Sequence, residues 1–243
     1  MLEANSVLLL DIGNTNLKVT YSHRSDGDIG EIVVFESLTE FLTTQPEAKS
    51  IIFANVAKSN NQQLLDEYCA NNGINLLEVK TEPEAFGIRC AYENYTTLGV
   101  DRWVAVLGAA QLSAAPSIII DIGTAITVDF LEADQHLGGW IAPGFSLMKD
   151  SLIQNTSNVF ADTQFPEQLE IGTSTEACVN QGCLAAIHSV VESAIKHFSE
   201  KNEKISIFLT GGGAKFINLE KYPNIIFHPK LVFVGLNRFQ SRL

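Results

Sequence analysis

An apolar run that ends in an aspartate occurs twice in this chain. "VLLLDIGNTNLKVTY" begins at Val7 and "SIIIDIGTAITVDF" at Ser117, so Asp11 and Asp121 lie 110 residues apart in a chain of 243. Each phrase reads as a buried strand, a glycine-containing turn and a second strand. A repeat at nearly half the chain length constrains the fold more than any local pattern, because each half must then be built the same way. Strands alternating with helices after each acidic hairpin make both halves α/β. "SAAPS", Ser113 to Ser117, breaks a helical pattern just before the second copy, so the expected domains are residues 1–115 and 116–243.

The remaining elements follow from periodicity and breakers. "EIVVFES" reads as a third strand, "SIIFANVA" as a strand buried on both faces, and "INLLEVK" as another. "LTEFLTTQ" and "NNQQLLDEYCANNG" read as helices, the second ended by Gly73. "WVAVLGAAQLSA" is helical, with Gly99 before it and Asp101 near its N-cap. In "LGGWIAPGF", Gly138, Gly139, Pro143 and Gly144 predict a loop, followed by a helix from about Phe145. "TEACVNQGCLAAIHSVVESAIKHFSE" is a long helix, and "ISIFLTGGGAKFI" reads as strand, glycine turn and helix.

Charge narrows the function. Sixteen Lys and Arg against 28 Asp and Glu leave a net −12, a field that repels nucleic acid and anionic lipid. The apolar run before Asp11 is too short for a signal peptide or a membrane span, which points to a cytoplasmic protein. Cys69, Cys90, Cys178 and Cys183 form no CxxC pair, and the five histidines are scattered, so reduced thiols in or near the core are expected rather than a zinc site.

An aspartate at the end of a buried strand needs a cation or hydrogen-bond donors. In the first hairpin Gly13 lets the backbone approach a ligand, Asn14, Thr15 and Asn16 add donors, and Lys18 adds a point charge. Asp121, followed by Gly123 and Thr124, repeats the arrangement, and Asp129 lies eight residues on. Two such hairpins facing one cleft can hold a polyphosphate and its cations. "TGGGAKF", Thr210 to Phe216, is a third glycine turn on which a flat ligand such as adenine could rest. No P-loop or GxGxxG occurs. In "LGVDRW", Asp101 can take a proton from a substrate hydroxyl, and Arg102 can grip a carboxylate or transferring phosphate.

"DIGNTNLK", "GVDRW", "DIGTAITVD", "GGWIAPG" and "TGGG", in this order, resemble the motifs of type III pantothenate kinases along essentially the whole chain. The resemblance implies the actin and sugar-kinase superfamily: two duplicated ribonuclease-H-like domains with a nucleotide cleft between them. It implies the ATP-dependent phosphorylation of pantothenate to 4′-phosphopantothenate, the first step of coenzyme A synthesis. Asp11, Ile12, Gly13, Asn14, Thr15, Asn16, Leu17 and Lys18 match the first phosphate motif, with Asp11 near Mg²⁺, directly or through water. Thr124 matches an ATP contact, and Asp121 the ligand of a monovalent cation, K⁺ or NH₄⁺. Tyr92, Gly99, Val100, Asp101 and Arg102 match pantothenate-contacting segments, with Asp101 the general base. Thr175 matches a substrate-contacting threonine, although Ala177 stands one place away from the alanine of that pattern. The resemblance also implies a homodimer; the acidic balance and the lack of a spanning run argue against nucleic acid or membrane as partners. Two other classes are kept: a ligand-binding transcription accessory factor of the same family, and a kinase of another small hydroxyl compound such as a sugar.

Overall fold

The computed structural model describes residues 6–23, 28–57, 60–156 and 165–243. Residues 1–5, part of the stretch tested above for a leader, lie outside them. In chain order the elements are β1 (Ser6–Ile12), β2 (Leu17–His23), β3 (Val33–Phe35), α1 (Leu38–Thr43), β4 (Ser50–Asn55), α2 (Asn61–Asn72), β5 (Asn75–Glu78), β6 (Glu84–Ala85), β7 (Ile88–Arg89) and α3 (Val100–Leu112). There follow β8 (Ser117–Ile122), β9 (Ala125–Glu132), β10 (Gln135–Pro143), α4 (Phe145–Asn155), α5 (Thr175–Ser199), β11 (Ser206–Thr210), β12 (Ile225–Phe227) and α6 (Leu231–Asn237).

Two compact units result, Met1–Leu112 with Lys230–Leu243, and Ser113–Pro229. In the first, the strands run β3-β2-β1-β4-β5; the β1–β2–β3 meander is antiparallel, and β4 and β5 run parallel to β1. In the second, β10-β9-β8-β11-β12 repeats that order and those directions strand for strand. The duplication inferred from the two acidic phrases is therefore a duplication of sheet topology. Asp11 and Asp121 each occupy the penultimate residue of the central strand.

Alternation along β1 divides the first unit into two faces. Leu8, Leu10 and Ile12 join Phe41 of α1 and Leu65 and Cys69 of α2 in one core. Full burial of each such side chain is worth about 1.5–3 kcal/mol. Val7 and Leu9, equally buried, point the other way, as does Asp11; on that side α6 packs on β1 and β4, and α3 packs on β4. The helices α3 and α6 cross in backbone contact: a Cβ on Gly108 would strike the Leu231 carbonyl, and one on Gly235 the Val104 carbonyl. This crossing explains why residues 230–243 group with the first unit, whereas the sequence division at 115/116 left them in the second half. The chain returns because β1 and β4 have a second apolar face to cover.

In the second unit Ile118, Ile120 and Ile122 face α5, where Leu184, Ile187, Val191 and Ala194 supply a helical stripe. Ser174 caps this helix, its hydroxyl accepting from the Ala177 amide. Two expectations change here. "LGGWIAP" is not a loop but part of β10, paired with β9 from Gln135 to Pro143, and its glycines mark a bulge between His136 and Gly138. Gly138 there has φ +96°, which a side chain would resist. The segment after the glycine turn is a short 3-10 turn, Gly212–Phe216, rather than an α-helix. No helix among the described residues is long and apolar enough to cross a membrane.

Candidate active site

The first hairpin places its charges by strand register. Asp11 and Lys18 are direct partners across the β1–β2 ladder, with Lys18 Nζ 3.6 Å from Asp11 Oδ2. Asp11 is only 8% exposed, and burial pushes its carboxyl above its ordinary value; Lys18 pulls it back, and Asp101 pushes it further up. The chain turns through Gly13 to Asn16, closed by a hydrogen bond from the Gly13 amide to the Asn16 carbonyl. Asn14, Thr15 and Asn16 are exposed. Ile12 and Leu17 bury their side chains in the core below, so any part they take in binding falls to their backbone.

Asp101 lies in the first turn of α3, one residue inside Val100, and Gly99 accepts the helix's opening bond from Trp103. A Cβ on Gly99 would press on Asp101 Oδ1, so the carboxylate folds back over glycine and accepts from the Arg102 amide at 2.8 Å. Arg102 is buried, and its Nη1 donates to the Tyr92 hydroxyl at 3.1 Å. Tyr92, Gly99, Val100, Asp101 and Arg102, remote or merely adjacent in sequence, thus form one corner of the first unit. The influence of Asp101 on Asp11 links that corner to the first hairpin. Sequence reading missed the tie that fixes this corner: Thr81 Oγ1 donates to the Leu98 carbonyl at 2.8 Å, closing residues 81–98 into a loop. Nothing about a lone threonine among charged residues distinguishes it beforehand.

In the second unit three glycine-bearing motifs converge on the Asp121 hairpin. Asp121 pairs with Thr127 on β9 and Thr210 on β11, and the Gly123–Thr124 turn is exposed. The Gly144 amide donates to the Thr124 carbonyl at 2.9 Å. Gly211, at φ +89°, lies so close to Asp121 Oδ1 and the Ile122 carbonyl that no side chain fits. Carboxylate and carbonyl oxygens at one strand end are a donor set suited to a hard cation.

Thr175 lies at the exposed start of α5. It lines a groove of about 1110 Å³ with Leu147, Met148 and Leu152 of α4 and Cys178 and Cys183 of α5. Asp129, eight residues beyond Asp121, lies on β9. It is 1% exposed, and its Oδ1 lies 2.9 Å from Nε2 of the fully buried His136. All four cysteines are free thiols; Cys69 and Cys183 are buried, but Cys178 is exposed rather than packed in a core. Among the described residues, no group of three or more His, Cys, Asp or Glu could hold a metal ion.

The duplicated sheet, with acid-tipped central strands, is the fold of the actin and sugar-kinase superfamily. A putative Baf family transcriptional activator from Campylobacter jejuni shares it with TM-score 0.63 at 21% identity, covering 97% of this chain and 98% of that one. A putative 2-dehydro-3-deoxygalactonokinase from Sinorhizobium meliloti shares it with TM-score 0.59 at 14% identity, covering 97% and 99%. Within that class the chain belongs to the type III pantothenate kinase family, whose sequence profile matches residues 7–197. A type III pantothenate kinase from Pseudoalteromonas atlantica is 39% identical over 240 residues, 97% of this chain and 98% of that protein.

Proposed function

We propose that this protein transfers the γ-phosphoryl group of ATP to the primary hydroxyl of pantothenate, giving 4′-phosphopantothenate for coenzyme A synthesis. Family membership supports the reaction. The residue roles are supported by geometry: Asp101 folds back over Gly99 beside the Arg102–Tyr92 hydrogen bond, in the same unit as the Asp11–Lys18 hairpin.

Asp101 accepts the hydroxyl proton as that oxygen attacks the γ-phosphorus in line. Arg102, held by Tyr92, binds the pantothenate carboxylate or the transferring phosphoryl oxygens. Lys18 and the exposed turn from Gly13 to Asn16 bind the phosphate chain through charge, side-chain donors and backbone amides. Thr124 contacts ATP, and Thr175 the substrate.

The residues fit the expected cations. A divalent ion beside Asp11 would offset the burial and the Asp101 repulsion that raise its carboxyl. One carboxylate with substrate phosphates is an ordinary Mg²⁺ environment. Asp11 would hold it directly or through water. When bound, the ion neutralises charge developing on the phosphates. Asp121, with the Ile122 carbonyl beside it, would hold K⁺ or NH₄⁺.

A cytoplasmic homodimer completes the reading. The groove along α4 and α5, with Leu147 and Leu152 exposed in it, supports the dimer. The net charge of −12 argues against nucleic acid or anionic membrane as a partner. A coupled ADP-release assay with pantothenate and a panel of sugars, in K⁺ and in Na⁺ buffer, tests the function. Turnover with pantothenate alone is expected; a sugar accepted in preference would overturn it.

A further inference from the structure

Residues 230–243 lie beyond the stretch matched by the family profile, which ends at 197. Their side chains nevertheless grip the loop that carries Tyr92. That loop, closed by the Thr81–Leu98 bond, contains the β6–β7 hairpin and Tyr92 and leads into Gly99 and Asp101. At the turn of the hairpin Phe86 has φ +52°, a left-handed conformation that a bulky residue keeps only where its surroundings impose it.

The surroundings come from the 3-10 turn after α6. Arg238 Nη1 donates to the Leu107 carbonyl of α3 at 2.9 Å, and its Nη2 reaches the Phe86 carbonyl at 3.5 Å. The same guanidinium lies over the Phe86 ring, 4.5 Å from its centroid. Phe239 meets that ring edge to face at 4.9 Å, and Arg242 lies 5.0 Å from its centroid while forming a two-point ion pair with Glu82. Cation–π contacts, one arm of the Arg238 fork and an aromatic edge therefore converge on Phe86. Leu107 belongs to the helix that begins with Asp101 and Arg102, whereas Phe86 belongs to the loop with Tyr92. Arg238 is the side chain that bonds to both.

We propose that Arg238 is a positioning residue for the Tyr92–Arg102 pair, fixing the 81–98 loop against α3 and so setting the pocket that receives pantothenate. The kinetic part of this proposal rests on the function proposed above. Arg238 touches no substrate; it acts through Phe86 and the loop. Lysine there keeps the charge and one bond but not the fork.

Full-length wild type, Arg238→Met, Arg238→Lys, Tyr92→Phe and the Arg238→Met/Tyr92→Phe double variant decide the matter. Arg238→Met should raise KM for pantothenate about five- to tenfold while KM for ATP keeps its wild-type value. Arg238→Lys should recover part of the loss. In the Tyr92→Phe background Arg238→Met should add little, because both changes loosen the same contact. Equal shifts in both KM values, or full additivity in the double variant, would overturn the proposal. Hydrogen exchange gives a reading independent of turnover. Peptides within 82–99 should exchange faster in Arg238→Met, with no change in peptides within 117–132; unchanged exchange in 82–99 sinks the clamp. If wild type does not phosphorylate pantothenate, the proposed function fails, and exchange alone judges Arg238. If Arg238→Met does not fold, the same readings on Arg238→Lys decide.

Discussion

Lys18 faces Asp11 directly across the β1–β2 ladder, its ammonium 3.6 Å from the carboxylate. The pairing does not fully offset burial, since the Asp11 carboxyl remains above its ordinary value of 3.8. Below that value both folded and unfolded chains hold the proton, and Asp11 has no effect on stability. As pH rises, the unfolded chain ionises first, so stability falls, and the cost is complete above the raised folded value. Asp11→Asn should therefore raise the melting temperature of the ligand-free protein at pH 7, with the gain vanishing as pH approaches 4. The same variant should lose turnover by roughly 10² or more. Calorimetry across pH, with parallel kinetics, checks both; a destabilised Asn variant at pH 7 would contradict the account.

Asp101→Asn preserves the helix start and removes the base. Its kcat should fall by about 10²–10⁴, the usual worth of a positioned proton acceptor, with ATP affinity little changed. Near-normal turnover would assign the proton to another group.

Asp121 should confer the dependence on a monovalent cation. Wild type should turn over faster in K⁺ or NH₄⁺ than in Na⁺, and Asp121→Asn should lower kcat on the order of tenfold and erase the difference. Rates across the three chloride salts at constant ionic strength provide the measurement. Equal rates for wild type in all three would leave Asp121 without that role.

Gly211 carries both a left-handed backbone and contact with Asp121. Gly211→Ala should cost about 1–3 kcal/mol from backbone strain, before any displacement of the Asp121 hairpin. Chemical denaturation of the variant against wild type measures it. A control at Gly212, which has open space around it, should be much milder.

Asp129 should behave as a structural acid. Asp129→Ala removes the 2.9 Å contact with buried His136 and should destabilise by about 1–3 kcal/mol. Activity per folded molecule should survive in Asp129→Asn, which retains a hydrogen-bonding group. A selective loss of K⁺ response in the Asn variant would instead assign Asp129 to the cation site.

The hairpins were legible because an acid at the end of an apolar run is costly, and two such costs at one offset specify a repeat. At the Asp101 corner "LGVDRW" offered a base and a cation at a helix start, and only motif likeness added Tyr92. What escaped depended on distant packing. Gly138 and Gly139 are loop residues by composition, yet a bulge lets a strand contain them. Leu231–Asn237, rich in branched and aromatic residues, has weak helical preference; Gly235 against Val104 makes the helix worthwhile. At Asp129 the spacing from Asp121 is visible in the sequence, while the contact with His136 on the next strand is not. Arg238 escaped because its partners lie more than a hundred residues earlier.

The helix α6 also sets an order of events during synthesis. When the ribosome has added residue 229, every strand of the second sheet exists, but the first sheet still lacks the helix that covers Val7 and Leu9. The half that begins first is therefore finished last. Until α6 emerges, α3 covers only β4 on that side, and the apolar face of β1 waits open to aggregation and to chaperone capture.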